Sequence, residues 1–169
     1  GTTHEFWKAI HAGAVKAARE MDIEIIWKGP QKEDDREQQI QVMQNFITPD
    51  IKGIVLAPLD AKALVNPVRE ATQAGIPVVI MDSGLEAEVG KDFVSFVATD
   101  NYQGGVLGAR RLAEKMGGTG NAILMRYQEG SASTNLREAG FLDTMQKEFP
   151  GIKILSSNQY AGSTMETAM

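Results

Sequence analysis

The sequence predicts an α/β protein in which parallel sheets are flanked by helices. Residues 53 to 84, GIVLAPLDAKALVNPVREATQAGIPVVIMDSG, describe one complete βαβ unit. Its strands, Gly53 to Ala57 and Val78 to Met81, are apolar without a polar alternate, the pattern of a parallel sheet covered by helices on both faces. Helix and strand signals then alternate along most of the chain, which implies right-handed crossovers in an open sheet.

The elements follow in order. Phe6, Ile10, Ala14, Ala17 and Met21 recur at helical spacing, so a helix is expected over residues 5 to 21. Ile23 to Lys28 reads as a short strand closed by Gly29-Pro30. Asp35 reads as the N-cap of a second helix, with Ile40, Met43 and Ile47 as its buried stripe. Asp60 reads as the N-cap of the helix beginning at Ala61. Ser83 to Asp92 reads as a surface loop, and Phe93 to Ala98 as another strand. Thr99-Asp100-Asn101 opens a helix to about Met116, and Gly104, Gly105 and Gly108 near its start suggest close backbone packing, because glycine costs roughly 1 kcal/mol against alanine inside a helix. Asn121 to Arg126 is a strand, Ser133 to Phe149 a helix and Ile152 to Ser156 a strand. Residues 163–169 read as the first turns of a further helix, and no strand precedes Gly1 to His4, so the chain is expected to be a fragment truncated at both ends. A lobe boundary is placed near Thr99 to Asn101, giving lobes of residues 1–100 and 101–169.

Composition narrows the function classes. A net charge of -5 and a pI near 5.1 argue against nucleic-acid contact from this segment, which would need a basic face. No apolar run of about 18 residues occurs, so no membrane-spanning helix is expected. The absence of cysteine excludes disulfides and thiolate chemistry. Neither GxxxxGK[ST] nor a strand-to-helix GxGxxG is present, and Gly117-Gly118-Thr119-Gly120 follows a helix, on the wrong side for a dinucleotide cradle. His4 and His11 lack a third ligand and metal-binding spacing, so no metal and no cofactor is expected. Ser133 lacks the context of a nucleophile elbow, and no catalytic set is visible.

Ligands of parallel sheets bind beyond the carboxyl ends of the strands, where Asp60, Asp82 and Ser83 lie. Asp82 ends an apolar strand, and its carboxylate can accept hydrogen bonds from adjacent hydroxyls; the competing reading is a capping aspartate. His4 stands at the entry to the first helix, at the same edge. Phe6 and Trp7 diverge by about 100° on that helix, so one can pack inward while the other offers a flat apolar face. Both packing between helix and sheet is the alternative. In GSASTNLREAGF, residues 130 to 141, Asn135 and Arg137 can donate hydrogen bonds toward the loop edge.

The segments HEFWKAIHAGAVKAA, IKGIVLAPLDAKAL, AGIPVVIMDSG, VATDNYQGGVLGA and GSASTNLREAGF occur in the order and spacing seen in one family. Together they resemble the periplasmic sugar-binding proteins of ABC transporters, of the ribose-binding-like type, whose type I periplasmic-binding-protein fold is shared with LacI-type effector domains. The resemblance implies two lobes closing on a sugar without chemistry, a membrane permease as partner and a periplasmic location, with any signal peptide outside this segment. It makes His4, Phe6, Trp7, Asp82, Ser83, Asn135 and Arg137 ligand-binding positions and Thr99, Asp100 and Asn101 the hinge. Ribose-type members usually carry arginine where this chain has Ser83. The alternatives are a LacI-type effector domain and the sensor domain of a membrane receptor; an enzyme ranks behind both. A truncated sheet exposes strand edges, so the isolated segment is expected to self-associate.

Overall fold

The computed structural model describes residues 5–164 and 166–169. Helix α1 spans Glu5–Met21 and α2 Arg36–Asn45. Strand β1, Ile54–Leu56, leads to α3, Val65–Gln73, then β2, Val78–Met81, and β3, Ser95–Val97. Helix α4, Asn101–Met116, precedes β4, Gly120–Arg126, and α5, Ala132–Glu148, precedes β5, Ile152–Tyr160. The strands form two parallel sheets, one in the order β1-β2-β3 and one pairing β4 with β5.

Local chemistry explains most boundaries. The Asp35 carboxylate accepts the Gln38 N–H at 2.8 Å and caps α2. Asp100 caps α4 through the Gln103 N–H at 2.9 Å, and Gly117 ends that helix with a left-handed φ of 66°. Asp60 caps as well, but what it caps is a turn. Its Oδ1 accepts the N–H groups of Lys62 and Ala63, and regular helix begins only at Val65. The expected strand at Ile23 to Lys28 is irregular backbone, with Ile23, Ile25 and Ile26 exposed. A strand is defined by its ladder, and among the described residues nothing pairs with this segment. Residues 166–168 form a turn where a helix was expected, and Met165 lies outside the described residues.

The register puts Ile54 opposite Val78 and Leu56 opposite Ile80, all buried on one sheet face over Met43, Leu64, Val68 and Ala71. The other face is open. Val55 is 67% and Val97 63% exposed, and α1 keeps Phe6 and Met21 largely in solvent. The apolar strands thus identify the parallel sheet correctly, but helices cover only one of its faces. The second sheet repeats the pattern: Ile152 packs with Ala109, Ala113 and Met145, whereas Ile123, Met125 and Leu155 stay exposed.

The segment expected as a surface loop, Ser83 to Asp92, is a loop without regular secondary structure, and it is tied down. Arg69 forks onto Asp92 at 2.9 and 3.1 Å, the Glu88 N–H donates to Asp92 Oδ2 at 3.0 Å, and Thr72 Oγ1 donates to its carbonyl at 2.8 Å. Leu85 and Ala87 pack against the first core. The Arg69 guanidinium, helped by the Glu88 N–H, lowers the Asp92 carboxyl to about 2. A carboxylate whose folded pKa is depressed stabilises the fold above its unfolded value and loses that contribution as it protonates. Between about pH 4 and pH 2, acid unfolding of the wild type is therefore expected to steepen, and Asp92→Asn should flatten that limb in a circular-dichroism titration.

Helices α4 and α5 cross at glycine. A Cβ on Gly105 would run into the Arg137 carbonyl, and one on Gly140 into the Tyr102 carbonyl, whereas Gly104 and Gly108 have open space. One glycine of the α4 cluster thus makes the close packing expected of all three. Gly105→Ala is expected to destabilise by about 1–3 kcal/mol through overpacking, and Gly104→Ala to stabilise by up to about 1 kcal/mol through helix propensity. Chemical denaturation of the two variants checks the opposite signs.

Candidate functional site

A cavity of about 490 Å³ lies between the two sheets at the carboxyl ends of their strands. From the first sheet come Ala57, Pro58 and Leu59 after β1, and Asp82 and Ser83 after β2, with Phe6 and Trp7 at the start of α1 and Glu33 before α2. The second sheet gives Tyr127 and Gln128 after β4, and one face of α5.

Each wall is positioned by identifiable bonds. The buried Gln39 of α2 donates to the Ala57 carbonyl and accepts the Leu59 N–H, both at 2.8 Å, which fixes the rim after β1. Trp7 Nε1 donates to Glu33 Oε1 at 2.9 Å, and Phe6 meets Trp7 edge to face at 4.9 Å. Asp82 has a φ of 64°, and the Ser83 N–H bonds back to the Met81 carbonyl at 2.7 Å. This is a γ-turn of the rarer, strained hand, and Asp is among the few non-glycine residues that adopt such a φ. The turn ends β2 abruptly and leaves the carboxylate on the cavity wall.

The electrostatics follow from crowding. Burial holds the Asp82 carboxyl above the usual carboxylate range; Arg137 opposes the shift and Glu33 adds to it. Burial, with Glu33 and Asp34 nearby, pushes the Tyr127 hydroxyl up to about 12. Arg137 donates from Nε to Asn101 Oδ1 at 2.8 Å, which ties the start of α4 to α5. Arg126 donates to Glu138 Oε2 at 2.6 Å and lies over the Tyr160 ring. Among the described residues, no group of three or more His, Cys, Asp or Glu side chains could hold a metal ion.

Phe6, Trp7, Asp82, Ser83 and Arg137 all line this cavity. Asn135 is exposed on α5 and is not among the lining residues. Helix phase explains the difference: Ser133, Thr134, Arg137, Glu138 and Phe141 share one face, and Asn135 falls about 200° of turn before Arg137. Ser83 accepts the Ser133 N–H at 3.1 Å, so it also holds the two walls together. Thr99 and Asp100 are exposed at the crossover, and Asn101 is buried there. His4 lies outside the described residues. His11 stacks on Trp27 at 4.6 Å and does not line the cavity.

Sequence reasoning passed over Glu33, Tyr127, Gln128 and Glu138. The edge rule that selected Asp82 applies equally to Tyr127 and Gln128, which directly follow β4. Glu138 needs only the α5 helical face drawn from Ser133.

A family profile described as a periplasmic binding protein domain matches residues 1–169. The D-ribose/D-allose-binding protein of Pseudomonas aeruginosa is 31% identical over 158 residues, covering 90% of this chain and 49% of that protein. A carbohydrate-transporter solute-binding protein from Agrobacterium radiobacter, solved with D-arabinose, superposes with a TM-score of 0.88 at 33% identity, covering 95% of this chain and 54% of that one. An ABC-transporter periplasmic solute-binding protein from Actinobacillus succinogenes, solved with D-allose, gives a TM-score of 0.85 at 32% identity, covering 98% and 58%. The chain thus spans about half the length of the relatives it matches. Its fold is that of the type I periplasmic binding proteins, and the chain belongs to the periplasmic binding protein family.

Proposed function

We propose that the full-length protein is the solute-binding component of a sugar ABC transporter, taking a monosaccharide or polyol between two lobes without making or breaking a bond. The observation that carries this reading is the cavity itself: ring faces, a carboxylate and a guanidinium converge at the carboxyl ends of two parallel sheets. Trp7 and Phe6 offer flat apolar area for the C–H face of a sugar ring, and Asp82 accepts from hydroxyls. The names of the relatives, which bind ribose, allose and arabinose, support it over a LacI-type effector domain. On this reading residues 1–100 form one lobe and 101–169 part of the other. Thr99 to Asn101 serves as hinge, with Asp100 capping α4 and Asn101 holding Arg137. Arg137 lines the cavity as the ligand-binding position on α5, whereas His4 and Asn135 keep that role through the family resemblance alone. The partner is a membrane permease, the location the periplasm.

Asp82→Ala in the full-length protein is expected to weaken sugar affinity by roughly a hundredfold or more, since it removes a charged acceptor from a buried site. Calorimetry with D-allose and D-ribose measures this, and unchanged affinity removes Asp82 from the site. The isolated 169-residue segment is expected to self-associate through its open apolar sheet faces, Val55 and Val97 on one and Ile123, Met125 and Leu155 on the other. A monodisperse monomer in light scattering contradicts this.

A further inference from the structure

We infer that Gln128 and Glu138 form a hydroxyl-recognition subsite on the second wall of the cavity, Gln128 donating and Glu138 accepting. The inference rests on the sugar-binding reading above and names two residues to which the family resemblance gives no role.

Both side chains line the cavity, and both residues are more than nine-tenths buried, at 8% and 7% exposure. Each carries one atom without a hydrogen-bond partner: Nε2 of Gln128 and Oε1 of Glu138. They are the only buried side-chain atoms so orphaned among the described residues. Buried polar atoms are nearly always paired, so two orphans in one cavity call for a physical reason. Their chemistry is complementary. Nε2 can only donate and an ionised carboxylate oxygen can only accept, and a hydroxyl is the common group that satisfies both.

Glu138 is also held in place for the task. Arg126 Nε grips its Oε2 at 2.6 Å, and Arg126 is in turn seated on the Tyr160 ring at 4.9 Å. The other oxygen is therefore fixed in direction. A fixed carboxylate oxygen rejects a ligand carboxylate at that place while accepting a hydroxyl. Gln128 lies two residues beyond β4, Glu138 lies on α5, and both line the same cavity. Donor and acceptor thus come from different elements, as expected of a site that reads a hydroxyl and not of a local side-chain pair.

The test uses the full-length protein, Gln128→Met and Glu138→Gln, and a thermal-shift and calorimetric panel of D-ribose, D-allose, D-arabinose, xylitol and D-glucuronate. Gln128→Met is expected to weaken the best-bound neutral ligand roughly ten- to hundredfold, while leaving the ligand-free melting temperature unchanged or higher, because it removes an unpaired buried group. A packing residue would show the reverse pattern. Among monodeoxy analogues of that ligand, one should lose affinity for the wild type and lose little further for Gln128→Met. Glu138→Gln should relax the discrimination against D-glucuronate; if that variant fails to fold, the Gln128→Met cycle alone decides. Wild-type affinity for neutral sugars with unchanged affinity in Gln128→Met overturns the subsite and leaves the sugar-binding reading standing. No binding of any panel member by the wild type overturns both.

Discussion

The approach of α4 to α5 is the constraint on which the second wall of the cavity depends. Two glycines, one on each helix, let the backbones meet at carbonyl distance, Gly105 against Arg137 and Gly140 against Tyr102. Side chains at either position would push the helices apart. The face of α5 that carries Ser133, Thr134, Arg137, Glu138 and Phe141 would then shift with it. The bond from Arg137 to Asn101 and the fork from Arg110 to Glu148 fasten the same pair at both ends. The second wall is therefore built on backbone packing, with the polar bonds setting its register.

The two walls are joined by a small number of directional bonds. The Ala61 N–H donates to the Gly130 carbonyl at 3.1 Å, the Ser133 N–H to Ser83, and Arg36 bridges Asp60 at 3.2 Å and the Glu129 carbonyl at 3.2 Å. Gly130 sits at a φ of 86°, with Asp60 Oδ2 where a side chain would begin. Glycine is needed there on both counts. All of these contacts engage one loop, residues 127 to 134, next to the cavity. None buries the large apolar area that would weld two units together. A junction of this kind can part and re-form at modest cost, which is compatible with the closure proposed above.

Most of the fold was legible because its signals are local. The 3.6-residue stripe of α1, the cap Asp35 and the apolar run of β2 each need only a few neighbouring residues to be decided. What failed depended on partners. Ile23 to Lys28 has strand composition, yet without a neighbour to complete its ladder it stays irregular. Gly104, Gly105 and Gly108 look alike in sequence, and only the crossing of α5 distinguishes Gly105. At the site, Asp82 was legible as a polar stop on an apolar strand. Asn135 and Arg137 are two residues apart in sequence, and helix phase puts only Arg137 on the cavity wall. Gln128 and Glu138 carry no motif; strand edge and helix phase place them, but their missing hydrogen bonds show only once burial is known.

The placement of unfavourable features is itself informative. Asp82 holds a strained backbone angle, and its carboxyl is partly desolvated beside Glu33. Gln128 and Glu138 each keep a buried atom unpaired. Such features cost on the order of 1–3 kcal/mol each, against a net stability of about 5–15 kcal/mol for a typical domain. If they were accidents of packing, they would be scattered through both cores. Instead both cores are apolar, and all of these residues line one cavity. Asp22 also takes a positive φ, of 53°, after α1 and outside this cavity, so the clustering concerns the unpaired and desolvated groups. The departures also share one chemistry: acceptors and a donor of the kind that a molecule rich in hydroxyl groups would satisfy.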